Sequence, residues 1–485
     1  MNNNNQDQEA SLDPTDWTSV REQGHRMLDD MLDYLQQVRQ RPVWQPAPNV
    51  VRERLQVALP QQPSPLAEVH QQFMTDILPY AVGNTHPGFM GWVHGGGTVV
   101  GMLAEMLSAG LNANVGGRNQ MPVEVERQIT RWMAALYDFP PDASGVFVTG
   151  TSMANLVALW VARTRYLGVA VRQHGVAHAP QCLMAYASTA THGSFALAMD
   201  LAGLGTDKLR RVPVDTAYRM DRAVLQRMID EDRTAGYQPF MLVGNAGTVD
   251  TGAIDPLAEL ATVAAAENMW FHVDGALGAL GMLSTELAPL FDGIQRADSI
   301  AFDFHKWGQV PYDAGFIMVR NGEMHRSTFA APAAYLRREA DGLASGSPWP
   351  CDFGPDLSRG FRALKTWFTL QVYGAEQMGQ VMAHTCAVAR YLASRIAACE
   401  KLELMAPVVL NIVCFRYRCS DMDRVNAAIA VAVQNTGVSA PSTTVLDGCL
   451  VIRAAIVNHR TMNEDVDALF DAVLHWGGVL SQGES

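Results

Sequence analysis

The stretch Ser299-Ile-Ala-Phe-Asp-Phe-His-Lys-Trp307 ends an apolar run with Asp303 and then sets His305 beside Lys306. A lysine at the end of a buried strand is costly in its charged form unless paired, because the ammonium loses its water. The same burial lowers the pKa of such an amine and makes it a nucleophile suited to Schiff-base chemistry. Upstream, Trp270-Phe-His-Val-Asp-Gly-Ala-Leu277 is a second hydrophobic strand that closes on an acid, Asp274. The two residues stand 306 − 274 = 32 positions apart, room for a helix and a return strand. In a parallel sheet both would lie at the carboxyl edge, where such sheets bind ligands. Two residues alone equally describe a structural ion pair between neighbouring strands, so the reading depends on what else converges.

Other polar sites follow strand-like runs. Val146-Phe-Val148 leads into Gly150-Thr151-Ser152-Met-Ala-Asn155, followed by the helical pattern Leu156-Val-Ala-Leu-Trp-Val-Ala162. A helix start holds anions, phosphate above all, through its free N–H groups and dipole, with two hydroxyls as added donors. Ordinary N-capping by Ser or Thr is the plainer alternative. His192, in Ala187-Ser-Thr-Ala-Thr-His-Gly-Ser194, is placed either to stack on a flat cofactor or to serve as a hydrogen-bonded loop histidine. Thr248, in Asn245-Ala-Gly-Thr-Val-Asp-Thr-Gly252, lies among glycines that permit close backbone approach or simply make a turn. A lysine to hold an aldehyde as an imine, an acid to keep a pyridine nitrogen protonated and a phosphate site together match pyridoxal 5'-phosphate (PLP).

The elements that must position these residues alternate. Strands are expected at Val146–Thr149, Leu183–Ala187, Phe240–Gly244, Trp270–Val273, Ser299–Phe302 and Gly315–Val319, with helical segments between most of them. That is the α/β pattern of a mainly parallel sheet. Residues 1–80 read as a helical arm: a polar start, a helix carrying Met27, Leu28, Met31, Leu32, Leu35 and Val38 on one face, and an extended Pro- and Gln-rich linker over 41–65. With a stripe and no core of its own, the arm must pack on something else, a partner subunit being the obvious candidate. Residues 81–362 read as the large α/β domain. Residues 363–485, with a long helix from Ala363, strands near Val408–Phe415 and Leu450–Ala455 and a last helix from Glu464, read as a small α+β domain.

Composition excludes several classes. The 485 residues are 48% hydrophobic and 18% charged, with a net charge of −13 and no Lys/Arg-rich stripe, which argues against a nucleic-acid binder. No apolar run reaches membrane-spanning length, and the polar start lacks the features of a signal peptide. Seven irregularly spaced cysteines without a C-x-x-C read as reduced thiols, neither a disulfide framework nor a metal site. A cytoplasmic protein is expected.

The order Gly-Thr-Ser-x-Ala-Asn, Ser-x3-His, Gly-Thr, His-Val-Asp-x-Ala and Asp-x-His-Lys-Trp resembles the group II PLP-dependent amino acid decarboxylases. The similarity runs over about residues 70–465, including His86-Pro-x-Phe89, Ser358-Arg-Gly-Phe-Arg-Ala-Leu-Lys-Thr-Trp367 and Ile452-Arg-Ala-Ala-Ile-Val-Asn-His-Arg-Thr461. It implies the fold type I architecture, a homodimer wrapped by the N-terminal arms, and decarboxylation of an L-amino acid to CO2 and an amine through a quinonoid intermediate. By position, it implies that Lys306 binds the aldehyde and Asp274 the pyridine nitrogen, with His192 stacking on one ring face and Ala276 on the other. It further implies that Thr151 and Ser152 hold the phosphate with help from His305 and Asp303, and that Thr248 lies near the ring edge. Trp92 and His94 would line the substrate pocket, with Asn112 and Asn114 reaching in from a partner. Aromatic-specific relatives are more apolar at those last two places, which leaves a small or polar substrate open.

Two departures stand out. The family's phosphate motif has a second glycine and a Glu where this chain has Thr151 and Met153. The tyrosine that relatives use to reprotonate the substrate carbon is absent from Arg337–Asp356, which offers Trp349, Cys351 and Asp352; Tyr335 lies just before. Relatives lacking it can direct the carbon to oxygen and release an aldehyde, so decarboxylation-dependent oxidative deamination is the alternative. A rival of another class is an α/β-hydrolase triad of Ser152, Asp274 and His305, with His94-Gly-Gly-Gly97 as its oxyanion loop.

Overall fold

The structure, a computed structural model, describes residues 11–178, 182–330 and 337–482. Tyr335 and the first ten residues lie outside this set. Among the described residues, twelve strands form two sheets. After β1 (Phe89–Met90), the large sheet takes β2 (Ser144–Val148), β3 (Leu183–Ser188), β4 (Leu209–Val212), β5 (Gln238–Asn245), β6 (Trp270–Asp274), β7 (Ser299–Asp303) and β8 (Gly315–Val319). Its order is β2-β8-β7-β6-β5-β3-β4. Only β8 runs against the rest, pairing antiparallel with both β2 and β7. The six expected strands are all present. β4, at the edge of the sheet, carries no such signal in the sequence, because its Leu-Arg-Arg-Val has neither a period-two alternation nor the continuous apolar run of a strand buried on both faces.

Helices cover both faces of this sheet, as parallel strands require. On one side the helix Thr151–Leu167 buries ten residues and packs with Ser194–Leu201 over β3, β5 and β7. On the other, the helices Met121–Leu136, Arg222–Thr234 and Leu257–Ala266 complete a second core.

The C-terminal sheet holds β9 (Leu402–Leu404), β10 (Ile412–Tyr417), β11 (Ala440–Leu446) and β12 (Cys449–Ala455) in the order β1-β11-β12-β10-β9. β1 belongs to it by pairing with β11 in parallel, Phe89 opposite Ala440, although residues 81–362 read from sequence as one domain. The long helix Arg362–Ala397 is interrupted at Gly374, which takes φ +72.

The arm begins with the helix Trp17–Gln36, capped by the Asp16 carboxylate, which accepts from the Thr18 and Ser19 amides. Its stripe is only partly covered: Leu28, Met31, Leu32 and Leu35 are half-buried and Met27 is exposed. The expected extended linker contains a short helix, Asn49–Arg54, and beyond it Val57 and Leu59 are 72% and 81% exposed.

One buried ion pair ties three of these parts together. Arg359 donates to Glu126 Oε2 at 3.0 Å and Oε1 at 2.6 Å, and also to the Val115 and Phe147 carbonyls. Removing one member of a buried pair strands the other without water. Arg359→Met is therefore expected to lose about 3–5 kcal/mol in urea unfolding, and Arg359→Met/Glu126→Leu to regain most of it. Equal losses in both variants would contradict this account.

Candidate active site

The carboxyl ends of β2, β3, β5, β6 and β7 open on one cavity of about 450 Å3, closed from the far side by Ser442, Thr443, Thr444 and Arg453 of the C-terminal sheet. A larger cavity, about 600 Å3, lies between the helix Met121–Leu136 and residues 347–353 and carries none of the expected catalytic groups. Because β6 and β7 are parallel neighbours in register, with Asp274 opposite Ala301, Asp274 and the residues after Asp303 emerge on the same edge.

Lys306 does not pair with Asp274. Its Nζ lies 2.7 Å from Asp303 Oδ2, and Asp303 Oδ1 accepts the Thr151 amide at 2.8 Å. Asp303 is thus engaged by the lysine and the helix start. Any help it gives a phosphate at that helix start would pass through Thr151, since a carboxylate repels a phosphate at contact distance. His305 accepts the Ala314 amide on Nδ1 at 2.9 Å, which leaves the proton of the neutral ring on Nε2, 3.7 Å from Asp303 Oδ2. Burial holds its pKa down at about 4.

Asp274 is fixed from behind by a chain of residues, among which Asn155, His272, Ser299 and Trp270 carry no role in the sequence-based expectation. Its Oδ2 accepts from Asn155 Nδ2 at 2.9 Å and its Oδ1 from the Ala276 amide at 3.2 Å. Asn155 Oδ1 meets His272 Nε2 at 2.9 Å, and His272 Nδ1 meets Ser299 Oγ at 2.8 Å. Ser299 Oγ also accepts from Trp270 Nε1 at 2.8 Å. Burial pushes His272 down to about 3, so the ring is neutral. One proton arrangement then satisfies every group: Trp270 donates to Ser299, Ser299 to His272 Nδ1, His272 Nε2–H to Asn155, and Asn155 to Asp274. The signal was present in the spacing, since 272 and 274 share a strand face and 151 and 155 a helix face.

The residues present fit a phosphorylated, aldehyde-bearing pyridine. Thr151 Oγ1 is buried and has no hydrogen-bond partner in the protein, and the helix it opens has no side-chain cap. The capping alternative therefore fails. A Cβ on Gly150 would touch only His305 and Asp303, at 3.6 and 3.8 Å, so the space before the helix is open. His192 lines the cavity, its Nδ1 held 2.8 Å from Ser194 Oγ; Ala276 and Thr248 line it too, and Ser152 sits beside Thr151. Trp92, His94 and Tyr312 form an aromatic wall, with His94 6.0 Å from Trp92 and 5.9 Å from Tyr312 by ring centroid. Asn112 and Asn114 do not line the cavity of their own chain: Asn112 ends the helix Val99–Leu111, and Asn114 Oδ1 accepts the Gly116 and Arg359 amides.

The hydrolase triad is not assembled. Asp274 faces Asn155 rather than His305, and the Gly96 amide of the supposed oxyanion loop donates to Gln309.

Fold and site together define a PLP-dependent enzyme of fold type I. The family model described as the pyridoxal-dependent decarboxylase conserved domain matches residues 48–418, and the chain belongs to that family. An aromatic-L-amino-acid decarboxylase of Bacillus atrophaeus is 31% identical over 92% of this chain and 93% of its own length. A phenylacetaldehyde synthase of Arabidopsis thaliana is 30% identical over 92% and 93%. The crystal structure of Catharanthus roseus tryptophan decarboxylase in complex with L-tryptophan superposes with TM-score 0.86 at 26% identity, covering 97% of this chain and 100% of that one. The chain is a PLP-dependent amino acid decarboxylase.

The two buried histidines of the site add to an acid limit shared with His325 and His459, whose pKa values burial also holds down. An unfolded histidine titrates near 6.5, whereas His305 stays neutral to about 4 and His272 to about 3. Below pH 6.5 the unfolded chain binds protons that the native state refuses. Stability is therefore full above that pH and falls beneath it by about 1.4 kcal/mol per pH unit for each ring. Urea unfolding between pH 7 and 5 is expected to show this slope, reduced by one proton in His305→Gln; an unchanged slope in the variant would contradict the assignment.

Proposed function

We propose that this enzyme decarboxylates aromatic L-amino acids to amines, with Lys306 as the aldehyde-binding lysine. The observation that carries the reading is the convergence of Lys306, Asp274, His192 and the unpartnered Thr151 hydroxyl on one cavity. The bound cofactor supplies an electron sink for the bond to the leaving carboxylate. Asp274 would keep the pyridine nitrogen protonated through a charge-assisted hydrogen bond of roughly 1.5–3 kcal/mol, its carboxylate oriented by Asn155, which His272 holds in turn. His192 and Ala276 would bracket the ring, Thr151 and Ser152 would bind the phosphate, and Thr248 would border the ring edge.

The choice of substrate rests on what the cavity lacks as well as on its aromatic wall. Arg453, 3% exposed, spends its guanidinium on the Trp92, Val249 and Asp250 carbonyls and on Ser442 Oγ. Among the described lining residues the other basic side chain is Lys306, already paired, so a second carboxylate on the substrate finds no free cation. A neutral aromatic side chain against Trp92, His94 and Tyr312 is the better match. Release of an aldehyde is the second reading, favoured by the missing tyrosine over Arg337–Asp356. A homodimer belongs to the same proposal, with Asn112 and Asn114 near the partner's cavity. The half-covered arm and the exposed Met106, Leu107 and Leu111 of the helix Val99–Leu111 are the surface a second copy would cover. A cytoplasmic setting accords with seven free thiols.

The purified protein is expected to be yellow, to lose its visible band on borohydride reduction with the label on Lys306, and to release CO2 from aromatic L-amino acids. A protein left colourless by added PLP would sink the reading. Asp274→Asn is expected to lose at least tenfold in turnover with little change in melting temperature, since the bond it weakens is worth over one kcal/mol; retained turnover would refute the role. Light scattering is expected to give twice the chain mass, and a monomer would remove the arm's assignment.

A further inference from the structure

We propose that the His94 side chain hydrogen-bonds a hydroxyl on the aromatic ring of the substrate, so that a phenolic L-amino acid is preferred over phenylalanine. The inference rests on the decarboxylase reading above and narrows its substrate class.

His94 is the odd member of the cavity lining. The Asp274, Asp303, His192, His305 and Arg453 side chains each have the protein partners already given, and Asp250 accepts the Thr444 hydroxyl at 2.6 Å. Among the described residues, none hydrogen-bonds the His94 ring. Its neighbours are themselves rings: Phe89 at 5.5 Å with 14° between planes, Trp92 at 6.0 Å with 23°, and Tyr312 edge to face. A phenyl ring would tile such a wall equally well, so packing alone gives the two nitrogens nothing to do.

The backbone on either side is built to hold this ring in place. Trp92 takes φ +48, a left-handed conformation that a bulky residue keeps only when its surroundings impose it. Its amide donates to Ser442 Oγ at 3.2 Å and its carbonyl accepts from Arg453 at 3.0 Å. Beyond His94, Gly95 lies against the His305 and Lys306 carbonyls, where a Cβ would come within 2.4 Å of both. His94 is therefore registered to the segment that carries the lysine. Burial first, and the Lys306 charge second, hold its pKa below the ordinary value. The ring is thus neutral at pH 7, with one N–H donor and one bare nitrogen. A phenol hydroxyl both donates and accepts, so it pairs with either nitrogen in either tautomer. An indole N–H only donates, and a phenyl ring leaves both nitrogens without a partner. A site that hydrogen-bonds a substrate hydroxyl rejects the analogue lacking it, because the protein's polar group is then stranded.

Wild type is expected to show a kcat/KM for L-tyrosine at least tenfold above that for L-phenylalanine. His94→Phe keeps the ring and removes the nitrogens, and in it the tyrosine-to-phenylalanine ratio is expected to fall about tenfold, the worth of one hydrogen bond whose loss strands a hydroxyl. Cofactor-free wild type should also bind reduced phosphopyridoxyl-tyrosine at least tenfold more tightly than phosphopyridoxyl-phenylalanine, a readout that depends neither on turnover nor on the variant. Equal binding of the two adducts, or a ratio unchanged in His94→Phe, would each overturn the proposal. Aromatic turnover without preference defeats this inference alone, whereas a wild type that releases CO2 from no aromatic amino acid defeats the substrate reading as well.

Discussion

Everything at this site depends on where one carboxylate sits. Asp303 is 2% exposed and divides its two oxygens between the Lys306 ammonium and the Thr151 amide. A buried acid in this position depends on its donors, because each one lost leaves more of its charge without water or partner. It therefore joins the end of β7 to the start of the helix Thr151–Leu167, which follows β2, a strand separated from β7 in the sheet by β8. The Lys306 amine and the start of that helix are registered to each other before any ligand arrives. The preorganisation is electrostatic, and so it does not demand rigidity of the lysine's stem.

The opposite side of the cavity is built by another rule. Asp274 is held by neutral groups only: an amide side chain, a backbone N–H and, through Asn155, a histidine that burial keeps uncharged. A carboxylate supported by dipoles keeps its negative charge available to a cationic group that binds against it, whereas one already paired with a cation does not. Two acids at the ends of neighbouring strands thus take opposite duties from the groups that hold them.

Much of this was legible in the sequence. Apolar runs ending in polar residues marked β2, β3, β5, β6, β7 and β8, and the residues following five of them converge as a parallel sheet requires. What periodicity could not reveal were contacts without a pattern. β1 has two residues, too few for any alternation, and β11, Ala-Pro-Ser-Thr-Thr-Val-Leu, reads as loop. Asn155 and His272 were visible within motifs, but their connection needs the helix seated on the sheet. The alternative of an ion pair between Asp274 and Lys306 falls on a contact of this kind, because Asp303, three residues back along the same chain, turns inward first. Of the aromatic wall, Trp92 and His94 were found by resemblance, whereas Tyr312 sits in a turn that no strand or helix pattern marks.

The pairing of Phe89 with Ala440 has a further consequence, for the making of the protein. Trp92 donates its amide to Ser442 Oγ and offers its carbonyl to Arg453, so one wall of the cavity is anchored to strands about 350 residues later in the chain. Contacts of such separation form late, after long loops have closed. During synthesis the large sheet can assemble as its strands emerge, but the segment 89–94 waits until β11 and β12 have been made. A prematurely terminated chain would present the lysine and the helix start in an open groove, with Trp92 and His94 untethered. Emergence of β11 and β12 is thus itself the step that closes this cavity.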